Sequence, residues 1–249
     1  MSAALWLVVP AAGQGRRMGA DRPKQYLEIA GRSVLACTLA RLFAAFPGAR
    51  LCLCLDPDDT RFDPAGVPFA EWRRVPGGNE RVDSVTHALE AIAGEAADDD
   101  LVLVHDVARP CVTVADLARL YAALADDPVG GLLAAPVADT MKRDDGAGRV
   151  ATSELRAGLW HAFTPQGFRY GLLRRALATS ATADMAVTDD ASAVEALGLS
   201  PRLVSGRRDN LKITHPEDLA LVGQILAAQA QTEPASGEPY EAPFGALEK

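Results

Sequence analysis

The chain has 249 residues, 49% of them hydrophobic, enough for one large α/β domain with a sizeable core. Its formal net charge of −8 excludes a general nucleic-acid binder, which needs a basic face, but leaves room for local cations around a small phosphorylated ligand. No apolar run reaches membrane-spanning length, and the four cysteines lack metal-ligand spacing, so they read as small buried hydrophobes in a reducing, cytoplasmic setting.

The first apolar run, Leu5–Pro10, lacks the basic flank of a secretory signal and breaks into a glycine turn, so it reads as a core strand. Strand-length apolar runs recur at 51–55, 101–104, 132–135 and 203–205, none alternating cleanly with polar residues, as expected of strands covered on both faces. Helical patterns lie between them at 34–46, 82–93, 114–125, 168–178, 191–197 and 217–230. Ser33, Thr113 and Pro216 with Glu217 and Asp218 mark helix starts. This alternation predicts an α/β fold: a Rossmann-like, mostly parallel sheet with helices on both faces, binding its ligand at the carboxyl ends of the strands. The polar segment 139–156, with a turn at Asp144-Asp145-Gly146, predicts a projecting β-hairpin arm. Residues 1–231 then form a single domain, and 232–249, rich in Pro, Gly and Glu, a disordered tail.

The stretch after the first strand, "PAAGQGRRMGADRPKQYL", poses the functional question. A dinucleotide-binding turn would need a third glycine where Met18 stands, and an acidic strand end far earlier than Asp56. A P-loop would need Gly-Lys-Ser/Thr, which is absent. Yet Ala11, Ala12, Gly13 and Gly15 let backbone N–H groups approach a phosphate, and Arg16, Arg17 and Lys24 supply cations. A tight turn with solvated charges is the plain alternative; this much charge beside so little side chain suits a triphosphate that loses pyrophosphate.

Further motifs follow in order: "GGNERVDSV" (77–85), "VHDVARP" (104–110), "APVADTMK" (135–142), "GLWHAFTPQGF" (158–168), "TDDASAVE" (188–195) and "GRRDNLKITHPEDL" (206–219). With the opening loop they resemble the 2-C-methyl-D-erythritol 4-phosphate cytidylyltransferase family of the non-mevalonate isoprenoid pathway, over residues 5–227. Ribitol-5-phosphate cytidylyltransferases share part of the pattern, but the "DTMK" and "GLWHAFTPQ" wording favours the isoprenoid enzymes. Val107, Asn79 and Asp190 depart from the residues usual in the family.

The resemblance implies a nucleotidyltransferase-type fold and transfer of CMP from CTP to a polyol phosphate with Mg²⁺. It implies catalytic roles for Arg17 and Lys24 at the triphosphate, and for Arg156 and Lys212 at the acceptor phosphate. CTP contacts fall on Ala11, Ala12, Gly13, Gly15, Gly78, Asn79, Ser84 and Asp106, with Gly77 beside them and Asp106 also the metal ligand. Arg109, Thr140, Thr164 and Thr188 match acceptor-binding positions. The resemblance further implies a homodimer in which the arm crosses to the partner site. Residue chemistry alone leaves several of these open: Asp83 or Ser84 could be a helix cap, Arg156 a solvated charge, and Arg16 a surface residue. His87, His105, His161, His215 and Trp160 read as structural. A nicotinamide-dependent oxidoreductase with an irregular loop and a non-catalytic nucleotide-binding module are the alternatives from other classes.

Overall fold

A computed structural model describes residues 3–13, 22–183 and 187–232. The expected positions of Gly15, Arg16 and Arg17, and all of the expected tail beyond Thr232, lie outside these residues.

A seven-stranded sheet forms the centre. In chain order the elements are β1 (Leu5–Pro10), the short hairpin β2 (Glu28–Ile29) and β3 (Arg32–Ser33), α1 (Val34–Ala45), β4 (Arg50–Leu55), β5 (Trp72–Pro76) and α2 (Arg81–Ala91). There follow β6 (Leu101–Val104), α3 (Val114–Leu124), β7 (Gly131–Pro136), the arm strands β8 (Met141–Asp144) and β9 (Val150–Glu154), and β10 (Trp160–Arg169). The chain continues with α4 (Tyr170–Thr182), α5 (Asp190–Glu195), β11 (Arg202–Ser205) and α6 (Pro216–Thr232). Strand order across the sheet is β11-β7-β10-β6-β1-β4-β5, with every pairing parallel except those of β10.

The apolar strands explain the layers. Along β1, Leu5, Leu7 and Val9 point to a core shared with α1 and α3, while Trp6 and Val8 point to a second core shared with α2, α4 and α5. Cys52 and Cys54 share that second face, buried as small hydrophobes; burial pushes the Cys52 thiol up to about 12. All four cysteines are free. A satellite core of Ile29, Val34, Ala108, Cys111, Ile213 and Val222 docks α6 near the end of β6. The expected caps are in place: Ser33 Oγ accepts from Ala36 N, and Thr113 Oγ1 from Asp116 N. Among the described residues no helix is long and apolar enough to cross a membrane.

Two elements correct the sequence expectations. The helix expected from 168 begins at Tyr170; Phe168 and Arg169 belong to β10, a strand that the sequence pattern did not reveal. Thr164-Pro165 in its middle and Gly167 disguise it, and its pairing with β7 shifts register between Ala162 and Gln166. β5, "WRRVP", was also missed, because as an edge strand it carries Arg73 and Arg74 rather than an apolar run. The hairpin at 139–156 is present as β8 and β9, joined by the Asp144–Gly148 turn, where Gly146 and Gly148 have φ of 86° and 76°.

Candidate active site

Strand order reverses direction at β1, which pairs with β4 on one side and β6 on the other. At such a reversal an open parallel sheet takes its ligand, outside the carboxyl ends of its strands. Ala11 to Gly13 follow β1. The carbonyl of Ala11 accepts from Gln25 Nε2 at 2.7 Å, and its N–H donates to Cys54 O at 2.8 Å. Gln25 thus docks the turn that carries Lys24 against the first loop.

The second loop, after β5, lies beside the first. A Cβ built on Gly77 would stand 2.1 Å from the Ala12 Cβ, and one on Gly78 would stand 2.1 Å from the Asp83 Cβ. Both positions need glycine because of close approach, not because of a positive φ. Asp83 and Glu80 form a reciprocal capping box at the start of α2. Ser84 is buried; its hydroxyl accepts from Gly78 N at 3.0 Å and donates to Glu80 O at 3.3 Å. Both capping residues therefore hold the loop, and Ser84 contacts its backbone directly. Ala12, Asp56, Pro57, Gly77, Gly78, Asn79, Asp83 and His87 enclose a cleft of about 610 Å³, of a size for a nucleoside.

Charge concentrates after β6. Asp106 Oδ1 accepts from Arg81 Nε at 2.7 Å, and its Oδ2 lies 2.7 Å from Lys212 Nζ and 3.8 Å from Arg109 Nε. Burial opposes ionisation of Asp106, but Arg81 and Lys212 outweigh it and hold the carboxyl well below the usual range. Arg81 Nη2 also donates to Asp190 Oδ2 at 2.7 Å. Burial pushes the Asp190 carboxyl upward, and Arg81 recovers only part of that. Burial likewise lowers the Arg109 guanidinium, against the pull of Asp106.

A second layer fixes this cluster. His105 is fully buried, with Nε2 3.1 Å from the Arg109 carbonyl, so that nitrogen carries the proton. Its Nδ1 then accepts from the Thr164 hydroxyl at 3.1 Å, and Thr164 Oγ1 in turn accepts from Asp106 N at 3.0 Å. Burial lowers the His105 pKa to about 4, so the ring is neutral, as its structural reading requires. Arg109 Nη1 donates to Asn210 O at 2.7 Å, and Asn210 Nδ2 to Thr164 O at 2.8 Å.

The structure therefore gathers Ala12, Gly78 and Asn79 around one cleft, with Ala11 and Gly13 flanking Ala12 in the chain and Ser84 bonded to the Gly78 N–H, and Asp106, Arg109, Thr164 and Lys212 around one charge cluster. Thr164 sits inside β10 rather than at a strand end, and its hydroxyl is already engaged. Arg109 has only 11% of its side chain exposed. Thr140 and Arg156 belong to the arm: both are exposed, and Arg156 donates to the carbonyl of Ala138 across the arm's base. Thr188 is exposed just before α5, its N–H held by Ser192 Oγ at 3.1 Å.

Sequence reasoning missed Arg81, Gln25 and Asn210. Arg81 left one signal: a cation in the first turn of a helix opposes the macrodipole, so it needs carboxylates nearby. Gln25 and Asn210 left none, because their amides serve backbone carbonyls distant in sequence.

Comparison with known proteins shows the family. The family model for 2-C-methyl-D-erythritol 4-phosphate cytidylyltransferase matches residues 5–228. A protein of that name from Chromohalobacter salexigens is 67% identical over 233 residues, covering 94% of each chain. A crystal structure of 4-diphosphocytidyl-2C-methyl-D-erythritol synthase superposes with a TM-score of 0.79 at 38% identity, covering 91% of this chain and 99% of that one. The 2-C-methyl-D-erythritol 4-phosphate cytidylyltransferase of Thermus thermophilus superposes with a TM-score of 0.73 at 35% identity, covering 92% and 100%.

Proposed function

The chain belongs to the 2-C-methyl-D-erythritol 4-phosphate cytidylyltransferase family, and from that premise we propose how its site transfers CMP from CTP to 2-C-methyl-D-erythritol 4-phosphate in isoprenoid precursor biosynthesis. A phosphate oxygen of the acceptor attacks the α-phosphorus of CTP. The bond from that phosphorus to the bridging oxygen breaks, and pyrophosphate leaves with the oxygen and its electron pair. The nucleophile is already ionised, so no strong base is needed; the obstacle is the meeting of two anions. The protein's work is positioning and cationic stabilisation.

The observation that carries this reading is the small-residue cleft opening beside a cluster in which three cations meet two carboxylates. Gly78 and Asn79, with Ser84 bracing them, read the pyrimidine through the loop backbone, and the backbone of Ala11, Ala12, Gly13 and Gly15 approaches the triphosphate. Arg17 and Lys24 stabilise charge as it develops there. Lys212 is 40% exposed in its side chain, so it can turn from Asp106 to a phosphate while staying beside it. Lys212 and Arg156 place the acceptor phosphate for attack. Arg109 adds positive potential, and Thr140, Thr164 and Thr188 line the acceptor's course.

Mg²⁺ completes this reading. Such an ion is held through one or two carboxylates plus substrate phosphates. Asp106 is ionised and offers one such oxygen ligand once Lys212 turns away. Among the described residues no group of three metal-ligating side chains occurs, so Asp106 fits as a single protein ligand with the triphosphate supplying the rest. The ion when bound would offset triphosphate charge. Met141, Val150, Leu155 and Leu159 are exposed on the arm and its base, which supports a homodimer that covers them and lets each arm supply Arg156 and Thr140 to the other site. The enzyme is read as cytoplasmic, without membrane or nucleic-acid partners.

The test is pyrophosphate release with each of the four nucleoside triphosphates, with and without 2-C-methyl-D-erythritol 4-phosphate, and with ribitol 5-phosphate as comparator. Release only with CTP and methylerythritol phosphate is expected. Equal turnover with ribitol phosphate would replace the acceptor, and release with all four triphosphates would remove the base-reading role of the second loop.

A further inference from the structure

Arg81 joins three parts of the site that are far apart in sequence. It opens α2 directly after the Gly77–Glu80 loop, it grips Asp106 at the end of β6, and it grips Asp190 at the start of α5, two residues beyond Thr188. Both bonds are 2.7 Å, and Asp190 is fully buried. A planar guanidinium fork holds two carboxylates in a fixed mutual geometry; an ammonium is a point charge that sets no such geometry.

Holding α5 in place does not account for this bridge. The helix start is already fastened by Asp189 Oδ1, which accepts from Ser192 N at 2.9 Å. Gln166 clamps the same turn to β10, donating to Asp189 Oδ2 at 2.7 Å and accepting from Ala191 N at 2.8 Å. Asp190 meanwhile leaves its Oδ1 buried without a hydrogen-bond partner. A half-satisfied buried carboxylate costs stability that an apolar side chain would not. Its retained use is the link to Arg81.

We propose that Arg81 is a positioning residue that, through Asp190, couples the nucleotide loop to the acceptor loop, so that nucleotide binding raises affinity for the acceptor phosphate. The inference rests on reading residues 77–80 and 187–189 as nucleotide and acceptor loops. Seating the nucleotide fixes the start of α2, hence the guanidinium. The guanidinium holds Asp190 Oδ2, two residues beyond Thr188, and so bears on the register of a turn that Asp189 and Gln166 anchor. Asp106 is the common partner, so its orientation is set by the same contact.

The experiment measures the dissociation constant of 2-C-methyl-D-erythritol 4-phosphate calorimetrically, without nucleotide and with saturating α,β-methylene-CTP, which cannot release pyrophosphate. Wild-type protein should bind the acceptor about 10-fold or more tighter with nucleotide present, within the usual range of coupling between sites. In Arg81→Lys and in Asp190→Ala that ratio should fall toward 1. Asp190→Ala keeps the Arg81–Asp106 pair and leaves no unpaired carboxylate, so it decides the matter should Arg81→Lys fail to fold. A merely structural role would weaken acceptor binding equally in both conditions; an unchanged ratio in Asp190→Ala therefore overturns the proposal. So does a wild-type protein that binds both ligands independently. A wild-type protein that binds neither ligand would refute instead the functional reading of the loops.

Discussion

Gly77→Ala tests whether the loops after β1 and β5, proposed to hold the nucleotide, depend on their close approach. The new Cβ would lie 2.1 Å from the Ala12 Cβ and 3.3 Å from both Leu55 O and Ser84 Oγ. Ordinary contact begins at 3.4 Å, so the first pair must separate by about 1.3 Å, the difference between 3.4 and 2.1. Neither side yields easily: Gly77 N donates to Leu55 O at 2.7 Å, and Ala11, beside Ala12, is bonded through both its N–H and its carbonyl. Overpacking of this kind costs about 1–3 kcal/mol, which in a domain of this size lowers Tm by roughly 2–12 °C. A displacement of about 1 Å in a positioning group costs about 10²-fold in rate. The assay is kcat/KM for CTP by pyrophosphate release, with Tm measured in parallel. Ala12→Gly in the same chain removes the other half of the clash and should restore most of both losses. Gly48→Ala, with nothing within 4 Å, is the control and should leave activity unchanged. Near-native kcat/KM in Gly77→Ala, or a double variant no better than the single one, would refute the reasoning.

Other outcomes follow from the charge cluster and the arm. His105 is held neutral with its pKa lowered to about 4, so as pH falls the unfolded chain takes a proton first; stability should drain between about pH 6.5 and 4, by at most about 3 kcal/mol. His105→Gln should flatten that part of the Tm-against-pH curve, and parallel curves would show that His105 does not contribute. Lys24→Ala and Lys212→Ala should each lower kcat by about 10²-fold, and Lys212→Ala should also lower Tm because it leaves buried Asp106 short of a partner; native turnover in either removes that lysine from the mechanism. Excess chelator should abolish activity and Mg²⁺ restore it, whereas full activity in chelator would exclude metal dependence. Subunit exchange between nearly inactive Lys24→Ala and Arg156→Ala proteins should return roughly a quarter of wild-type sites, because each mixed dimer would hold one intact site; verified exchange without recovered activity would place the arm in its own chain's site.

The buried strands were legible because they carry unbroken apolar runs, as β1, β4, β6 and β7 do; β11 also falls where expected, but it is an exposed edge strand in which only Val204 is buried, not a strand covered on both faces. β5 and β10 were hidden for opposite reasons. The first is an edge whose arginines serve other contacts, Arg73 to Glu95 and Arg74 to the carbonyls of Asp56 and Asp59. The second interrupts its own pattern with proline and glycine while lying at the middle of the sheet. Of the residues singled out in the sequence, Asp106, Arg109, Thr164 and Lys212 come together in one cluster. The site was illegible where a side chain serves another protein group. Nothing local in "GGNERVDSV" tells that Arg81 reaches Asp190, 109 residues away, and nothing in "PKQYL" tells that Gln25 turns inward to the Ala11 carbonyl.

The reversed direction of β10 has an evolutionary corollary. β7 ends at Pro136 and β10 begins at Trp160 directly opposite it, so the arm leaves and re-enters the body through neighbouring positions at the ligand-facing rim. Everything between those two residues is a loop whose ends are clamped together by that pairing. Lengthening such a loop adds little closure entropy, only about 0.6 kcal/mol for each doubling. The arm can thus be exchanged as a cassette. On the proposed reading of Thr140 and Arg156, directed libraries confined to residues 137–159 would vary acceptor preference while the sheet strands β1, β4 and β5 keep their sequence.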